Sequence, residues 1–446
     1  MFKSHPFLSL LKEIEHISPH EIKGQIAGIQ GLIIKIAGIT RALSLGDYCF
    51  IESKNGEKHP CEIIGFDENY AIAMPFKRMQ QIGVGSIVTI APQEGIIYPH
   101  VSWLGRVINA LGEPVDGKGP LMKGEEGYAI HASPPMPHER RRLGEKFDLG
   151  VRAMNTFLTC CRGQRLGIFS GSGVGKTTLL GMVSRYSKAD VNVVGLVGER
   201  GRELNEFIEK DLKEEGLQKS VIVVATSDES PLMRRQAAYL TLSLAEYFRD
   251  KELEVLCLLD SVTRFAMAMR EIGLSLGEPP TTKGYTPSVF SELPKLLERA
   301  GPGMQNQGDI TAFFTVLVEG DDTNEPISDA VRGILDGHVI LNRKIAERGR
   351  FPAIDILRSL SRVLPDCNSA EENALITDAR RHLSLYDDMA ELVRLGAYRR
   401  GTSKEVDVAI DLNPALEQFL AQDKNDNISL EDGYKELEKI LGRNAT

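Results

Sequence analysis

Hydrophobic and polar positions change their spacing several times along the chain. Near the amino terminus Phe7, Leu8, Leu10, Leu11, Ile14 and Ile17 fall on one face of a helix. Two readings of that stripe stand: a short helix packed on its own domain, or a docking helix for a partner or a membrane surface. From Glu21 to Pro92 the apolar residues come in short pieces, "QIAGIQGLIIKIAG", "DYCFIES", "HPCEIIGF", "YAIAMPF" and "GSIVTIAP", separated by Gly, Asn, Asp and Pro. Closely spaced short strands with turn signals predict a small barrel or sandwich. Two Gly/Pro-rich passages, "NALGEPVDGKGPL" and "ASPPMPHERRR", read as a linker or surface loops.

From residue 151 to about 360, strand-like runs alternate with helical stretches. The runs "RLGIFS", "VNVVGLVG", "SVIVVATS", "LEVLCLLD", "ITAFFTVLVE" and "HVILN" are nearly continuous apolar segments. That is the pattern of strands covered on both faces, and it predicts an α/β domain with a largely parallel sheet. Beyond Asn368 the strand pattern stops, and "NALITDARRHLSLYDDMAELVRLG" and the segments after it predict helices. The expected divisions are an amphipathic segment at 1–20, a β-barrel domain at 21–93, an α/β domain at 94–366 and a helical domain at 367–446.

Composition narrows the class without naming it. At 446 residues, 42% hydrophobic and 26% charged, the chain reads as an ordinary globular protein of two or three domains. No apolar run approaches the ~20 residues of a membrane span, and the N-terminal stretch, broken by Lys12, Glu13 and Glu15, is not expected to be a secretory signal. The formal charge of −9 argues against a nucleic-acid groove over much of the surface. Six scattered cysteines, with no C-x-x-C pair, are expected to be reduced thiols in the cytoplasm. The basic cluster "HERRR", His138 to Arg142, is expected to be a solvated face.

Chemistry enters at "FSGSGVGKTTLL". An apolar strand runs into Gly171, Ser172, Gly173, Val174 and Gly175, then Lys176, Thr177, Thr178 and a helical stretch. Glycines let backbone N–H groups turn inward around phosphates, and a helix start adds its positive end. Lys176 would reach the β- and γ-phosphates, and the Thr177 hydroxyl would ligate Mg²⁺. Ser170 stands where the common pattern has its first glycine, a hinge where a small residue suffices unless the backbone is left-handed. The bland alternative is a Gly-rich turn with a chance Gly-Lys-Thr.

Two carboxylates extend the pattern. Asp260 ends "LEVLCLLD", and an Asp at the carboxyl end of such a strand can hold the Mg²⁺ shell. Alone it reads more readily as a cap or turn residue. Glu199 follows "VNVVGLVG" and is the candidate for orienting the attacking water, with Glu203 as its rival. Either glutamate could instead be a surface partner of Arg200 or Arg202. Arg264 and Arg200 are further cations near this region, expected to support the site or an interface without a catalytic role.

The segments "GSGVGKTTLL", "VGERGREL", "LLDSVTRFAMAMREIGLSLGEPP", "GYTPSVFSELPKLLERAG", "EGDDTNEPISDAVRGILDGH" and "FPAIDILRSLSRV" closely resemble the type III protein export ATPases of flagella and injectisomes, relatives of the rotary ATP synthase subunits. The resemblance thins in the first 20 and last 40 residues. It implies a RecA-like P-loop ATPase core between an N-terminal β-barrel and a helical C-terminal domain. It further implies Mg-ATP hydrolysis by a cytoplasmic homohexamer, peripheral at the inner-membrane export gate. The implied partners are export-gate and stator proteins and chaperone–substrate complexes. It makes Gly171 to Thr178 the phosphate cradle, Glu199 the catalytic carboxylate and Asp260 the magnesium aspartate. It makes Phe351 the residue that stacks on adenine, where tyrosine is frequent, and Arg362 the arginine that reaches a neighbouring subunit's site. It also turns Glu319 to Asp329 toward the centre of the ring.

A cation on the γ-phosphate is worth ~10³ to 10⁵ in rate in other phosphoryl-transfer systems. The resemblance says that rotary synthases divide the catalytic carboxylate and the finger arginine between two subunit types. With Glu199 and Arg362 in one chain, a head-to-tail ring of identical subunits would complete its own sites. The bland reading of Arg362 is an ion pair with Asp355 or Asp366. Three alternatives remain: a catalytic subunit of a proton-translocating rotary ATP synthase, a hexameric RNA translocase, and a nucleotide-binding scaffold without turnover. RNA translocation needs aromatic and basic residues together in the barrel. There only Phe76 has basic residues, Lys77 and Arg78, beside it, and no nucleic-acid partner is expected.

Overall fold

The structure is a computed structural model that describes residues 22–91, 95–318 and 325–442. The amphipathic stripe at 1–20 and the acidic stretch from Glu319 to Asn324 lie outside the described residues. Two compact units form, each described in turn. One comprises the described residues up to Ile96 with 229–233 and 271–279, and the other comprises the rest.

In the first unit six antiparallel strands close into a barrel: β1 (Lys23–Gln30), β2 (Ile33–Ala37), β3 (Tyr48–Glu52), β4 (Lys58–Asp67), β5 (Tyr70–Pro75) and β6 (Ile87–Ile90). Their spatial order is β1-β2-β5-β4-β3-β6, and β6 pairs back onto β1 to close the ring. A barrel, not an open sandwich, is therefore the outcome of the short-strand pattern. Alternation fills the interior: Ile34 and Ile36 point inward from β2, with Ile51, Ile63 and Val88 from other strands. Ile26 is buried in the barrel, while Ile29, beyond a register shift between Ile26 and Gly28, is exposed. Phe76 is buried edge-on against Tyr48, at a centroid distance of 5.2 Å, so its ring is not offered to a base.

The second unit is built on an eight-stranded sheet. Its strands are β7 (Arg106–Asn109), β8 (Arg165–Ser170), β9 (Val191–Glu199), β10 (Ser220–Thr226), β11 (Val255–Asp260), β12 (Ile310–Leu317), β13 (Gly337–Leu341) and β14 (Leu360–Ser361). The order across the sheet is β14-β13-β8-β12-β11-β9-β10-β7. Every pairing is parallel except that of β14, which runs antiparallel along β13. The six apolar runs of the sequence are the six central strands. The two edges carry no such signal. β7 is only four residues long and sits just before the passage read as a linker. That passage is itself folded back: Arg106 grips Asp116 through two nitrogens, at 2.7 and 3.0 Å, and Asn109 Oδ1 accepts from the backbone N–H groups of Leu111 and Glu113. In "HERRR" His138, Glu139, Arg141 and Arg142 are exposed, as a solvated face would be, while Arg140 donates to the carbonyls of Glu298 and Ala300 and Arg141 pairs with Asp309 at 2.7 Å.

Three long helices close the chain: α2 (Ala370–Arg394), α3 (Lys404–Leu420) and α4 (Leu430–Ile440), after the helix α1 (Lys176–Tyr186) that follows β8. Ser369 starts α2 with a capping box, its Oγ accepting from Glu372 N while Glu372 accepts from Ser369 N. Leu375, Leu416, Phe419 and Leu437 of these helices share one buried cluster with Leu166 and Ile168 of β8 and Leu179 and Leu180 of α1. The carboxyl-terminal helices thus complete the core under the glycine-rich loop.

Candidate active site at the carboxyl edge of the sheet

β8, β9 and β11 run parallel, so the residues just past their ends meet at one edge. β8 leads into the loop 171–175 and α1. Gly173 and Gly175 take left-handed backbones, φ 77° and 93°, which side chains rarely tolerate. A β-carbon on Gly173 would find nothing within 4 Å, so the cradle is open there. α1 has no side-chain cap, which leaves its first N–H groups for a ligand. Ser172 O accepts from Arg343 at 3.2 Å, an anchor for the loop that the sequence did not suggest. Thr177 and Thr178 lie in the first turn of α1, behind Lys176.

The three charged groups of the sequence reading come together. Lys176 Nζ donates to Asp260 Oδ1 and stands 3.6 Å from Glu199 Oε1. Burial works against the lysine's charge, but Asp260 and Glu199 more than offset it and its pKa is raised. Burial also pushes the Glu199 carboxyl up, to about 7; Lys176 pulls it down, while Asp260 and Glu203 push it further up. Glu199 Oε1 is buried with no hydrogen-bond partner among the described residues. The two glutamates differ in their neighbours. Glu203 faces Arg200 at 3.7 Å and its presence raises the Glu199 pKa, whereas the ion pair of Glu199 is with the lysine. Arg202 pairs with Glu206 instead. Arg264 lays its stem against Gly198, where a β-carbon would come within 2.8 Å of it.

Phe351 stands over the cradle: a β-carbon on Gly175 would lie 3.4 Å from its ring. The ring is 47% exposed, and its carbonyl is held by Gln422 N at 2.9 Å. An exposed aromatic face beside a phosphate loop is suited to a flat base.

Arg362 is elsewhere. Its backbone N–H donates to Asp336 O. Asp336 N in turn donates to Arg165 O at the start of β8, and Asp336 Oδ2 accepts from Arg165 N. Lys176 lies beyond the other end of that strand. Strand rise puts roughly 16 Å between the two levels, further than an arginine side chain reaches. The Arg362 guanidinium is exposed, and among the described residues its partner is Arg332 O, at 3.2 Å. Among the described residues it makes no ion pair with Asp355 or Asp366.

One participant escaped the sequence reading. Thr315, fully buried on β12, donates to Asp260 Oδ1 at 2.7 Å. Its signal was a lone polar residue within "AFFTVLV".

Among the described residues no three His, Cys, Asp or Glu side chains converge as a metal cage. A magnesium ion that arrives with a nucleotide needs only one or two protein ligands plus phosphate oxygens and water. The open glycine cradle, the uncapped helix start and the orphaned Glu199 oxygen all fit such a ligand.

The family described as ATP synthase alpha/beta family, nucleotide-binding domain, matches residues 150–361, and the T3SS EscN ATPase C-terminal domain matches residues 368–439. The flagellum-specific ATP synthase of Caulobacter vibrioides is 55% identical over 97% of this chain and 99% of its own length. The type 3 secretion system ATPase of Xanthomonas euvesicatoria is 42% identical over 96% of each. The solved structure of the assembled ATPase EscN with its central stalk EscO, from the enteropathogenic E. coli type III secretion system, superposes with a TM-score of 0.86 at 40% identity, over 94% of this chain and all of that one. No described helix is long and apolar enough to cross a membrane.

Proposed function

Since this chain belongs to the ATP synthase alpha/beta family, among its flagellar and type III secretion ATPases, we propose that it hydrolyses Mg-ATP at sites completed between identical subunits. It is an ATPase of the export kind, and the relatives favour that reading over a subunit of a proton-translocating synthase. Gly171 to Thr178 and Phe351 hold the nucleotide, with Thr177 and Asp260 turned toward the metal. Magnesium supplies neutralisation of phosphate charge when bound. Lys176 leaves its carboxylates for the phosphates, which frees Glu199. Glu199 Oε1 then takes a proton from the attacking water. Arg362 of the adjacent subunit brings the cation that the developing charge needs.

The observation that carries this reading is the distance between the two halves. Lys176, Glu199 and Asp260 meet at the carboxyl edge of the sheet, while Arg362 is exposed at the level of the opposite edge, without an ion pair among the described residues. A homohexameric ring supplies the missing half at every interface. Its setting would be the cytoplasmic face of an inner-membrane export gate, with stator and stalk proteins attached and chaperone–substrate complexes as cargo. Single-turnover hydrolysis in mixed rings tests the shared site. Arg362→Ala and Lys176→Ala proteins should each be inactive alone. Mixed, they should recover activity at interfaces that pair the intact halves. An active, strictly monomeric Arg362→Ala protein would overturn the reading.

A further inference from the structure

Asp260 is held from two sides, and both contacts fall on the same oxygen. Lys176 Nζ and Thr315 Oγ1 each donate to Oδ1, and no described residue donates to Oδ2. The pairing of β11 with β12 sets Leu259 opposite Phe314, so the next residue on each strand, Asp260 and Thr315, lie side by side. Thr315 is fully buried in an apolar strand and spends its hydroxyl proton on this one carboxylate. We propose that Thr315 is a positioning residue: it fixes Asp260 Oδ1 so that Oδ2 stays turned toward the metal once Lys176 has moved to the phosphates. This rests on the nucleotide reading given above.

The two donors are not equivalent. A lysine ammonium on a flexible stem is drawn to whichever anion is strongest, and a triphosphate outbids a single carboxylate. A threonine on a central strand is fixed at its backbone and stiff at χ1. After Lys176 is drawn away, Thr315 is the remaining described donor on Oδ1. Without it the carboxylate is free to turn about its last torsion, whose wells are broad. Thr315 therefore acts through Asp260 and never on the nucleotide. Its loss should appear where magnesium is present and vanish where magnesium is absent.

Equilibrium binding of a fluorescent ADP analogue to the full-length protein, with free Mg²⁺ varied and with a chelator arm, separates these cases. Thr315→Val keeps the shape of the side chain and removes the donor. It should lose on the order of tenfold or more of the Mg²⁺-dependent gain in affinity, the size of a hydrogen bond to a charged group. Affinity in chelator should match the parent protein. Thr315→Ser should restore the Mg²⁺ response. If Thr315→Val responds to Mg²⁺ as the parent does, or weakens equally in chelator, the assignment is wrong. Should the valine variant fail to fold, Thr315→Ala against Thr315→Ser gives the same decision. A parent protein that binds no analogue in any arm would instead overturn the nucleotide reading itself.

Discussion

Lys176 at the carboxyl edge of the central sheet and Arg362 at the other hold their charge in opposite ways. At the carboxyl edge Lys176 and Asp260 are buried against one another with Glu199 half-buried beside them, each limiting the others' freedom. At the other edge Arg362 is exposed, with one carbonyl as its side-chain partner among the described residues. Burying charge requires compensation within the chain, so the edge that must cradle an anion carries its own counter-charges until the anion arrives. A cation delivered to another subunit, as proposed for Arg362, does best without an ion pair, since any internal partner would have to be broken first. Arg332 sits in the same region and faces the ring of Phe169 at 5.5 Å. The two arginines thus differ in availability, not in charge.

Lys176→Ala is the strongest test of that contrast. Hydrolysis should disappear, because the cradle loses its mobile cation. The nucleotide-free protein should also melt earlier, since Asp260 and Glu199 lose their counter-charge. The loss should stay below the ~3 kcal/mol of a broken buried pair, because Glu199 can take up a proton and Thr315 still holds Asp260. Arg362→Ala should be as silent in activity yet leave the melting temperature unmoved. Equal melting shifts in the two variants would erase the distinction between the edges. Next in size is Glu199→Gln, which should lower single-turnover hydrolysis by roughly 10² to 10⁴ while nucleotide binding persists. Unchanged turnover there would move the role to Glu203. Smaller again is Phe351→Ala, expected to weaken ADP binding by about tenfold through lost stacking. Phe351→Tyr should bind as the parent does, because the ring face is retained.

Legibility in the sequence followed the length of the apolar runs. β8 to β13 were readable because each is five or more residues long and covered on both faces. β7 and β14 were not, because an edge of four or two residues leaves too few positions for a pattern. That gap hid the place of Arg362, which follows β14 at the amino end of β13. The glycines, Lys176 and Asp260 could be named from motif and strand ending alone. Their contact spans 84 positions and depends on β8 and β11 lying one strand apart. Glu199 was preferred to Glu203 for its place just past a strand, but its ion pair with Lys176 follows only from the fold. Thr315 was visible as an oddity, but its partner follows only from the register of β12 on β11.

Ser170 gives the smallest expected effect. It departs from the usual glycine, yet it closes β8 in ordinary strand pairing, opposite Leu317 on one side and Leu341 on the other. Its backbone is not left-handed, whereas those of Gly173 and Gly175 are. The conformational reason for glycine therefore applies further along the loop and not at this hinge. Its hydroxyl is buried, without a hydrogen-bond partner among the described residues. Removing an unsatisfied buried hydroxyl relieves about 1–3 kcal/mol, and exchanging a side chain for glycine in a strand costs about 0.5–1 kcal/mol. The relief equals or exceeds the cost, so Ser170→Gly should leave stability the same or higher, by up to about 2 kcal/mol. ADP affinity should stay within about twofold, below what one neutral hydrogen bond would move. Calorimetry of the variant with and without ADP reads both numbers. A loss of affinity near that of Phe351→Ala would mean that the hydroxyl meets the nucleotide's phosphates, and the cradle would then begin one residue earlier than Gly171.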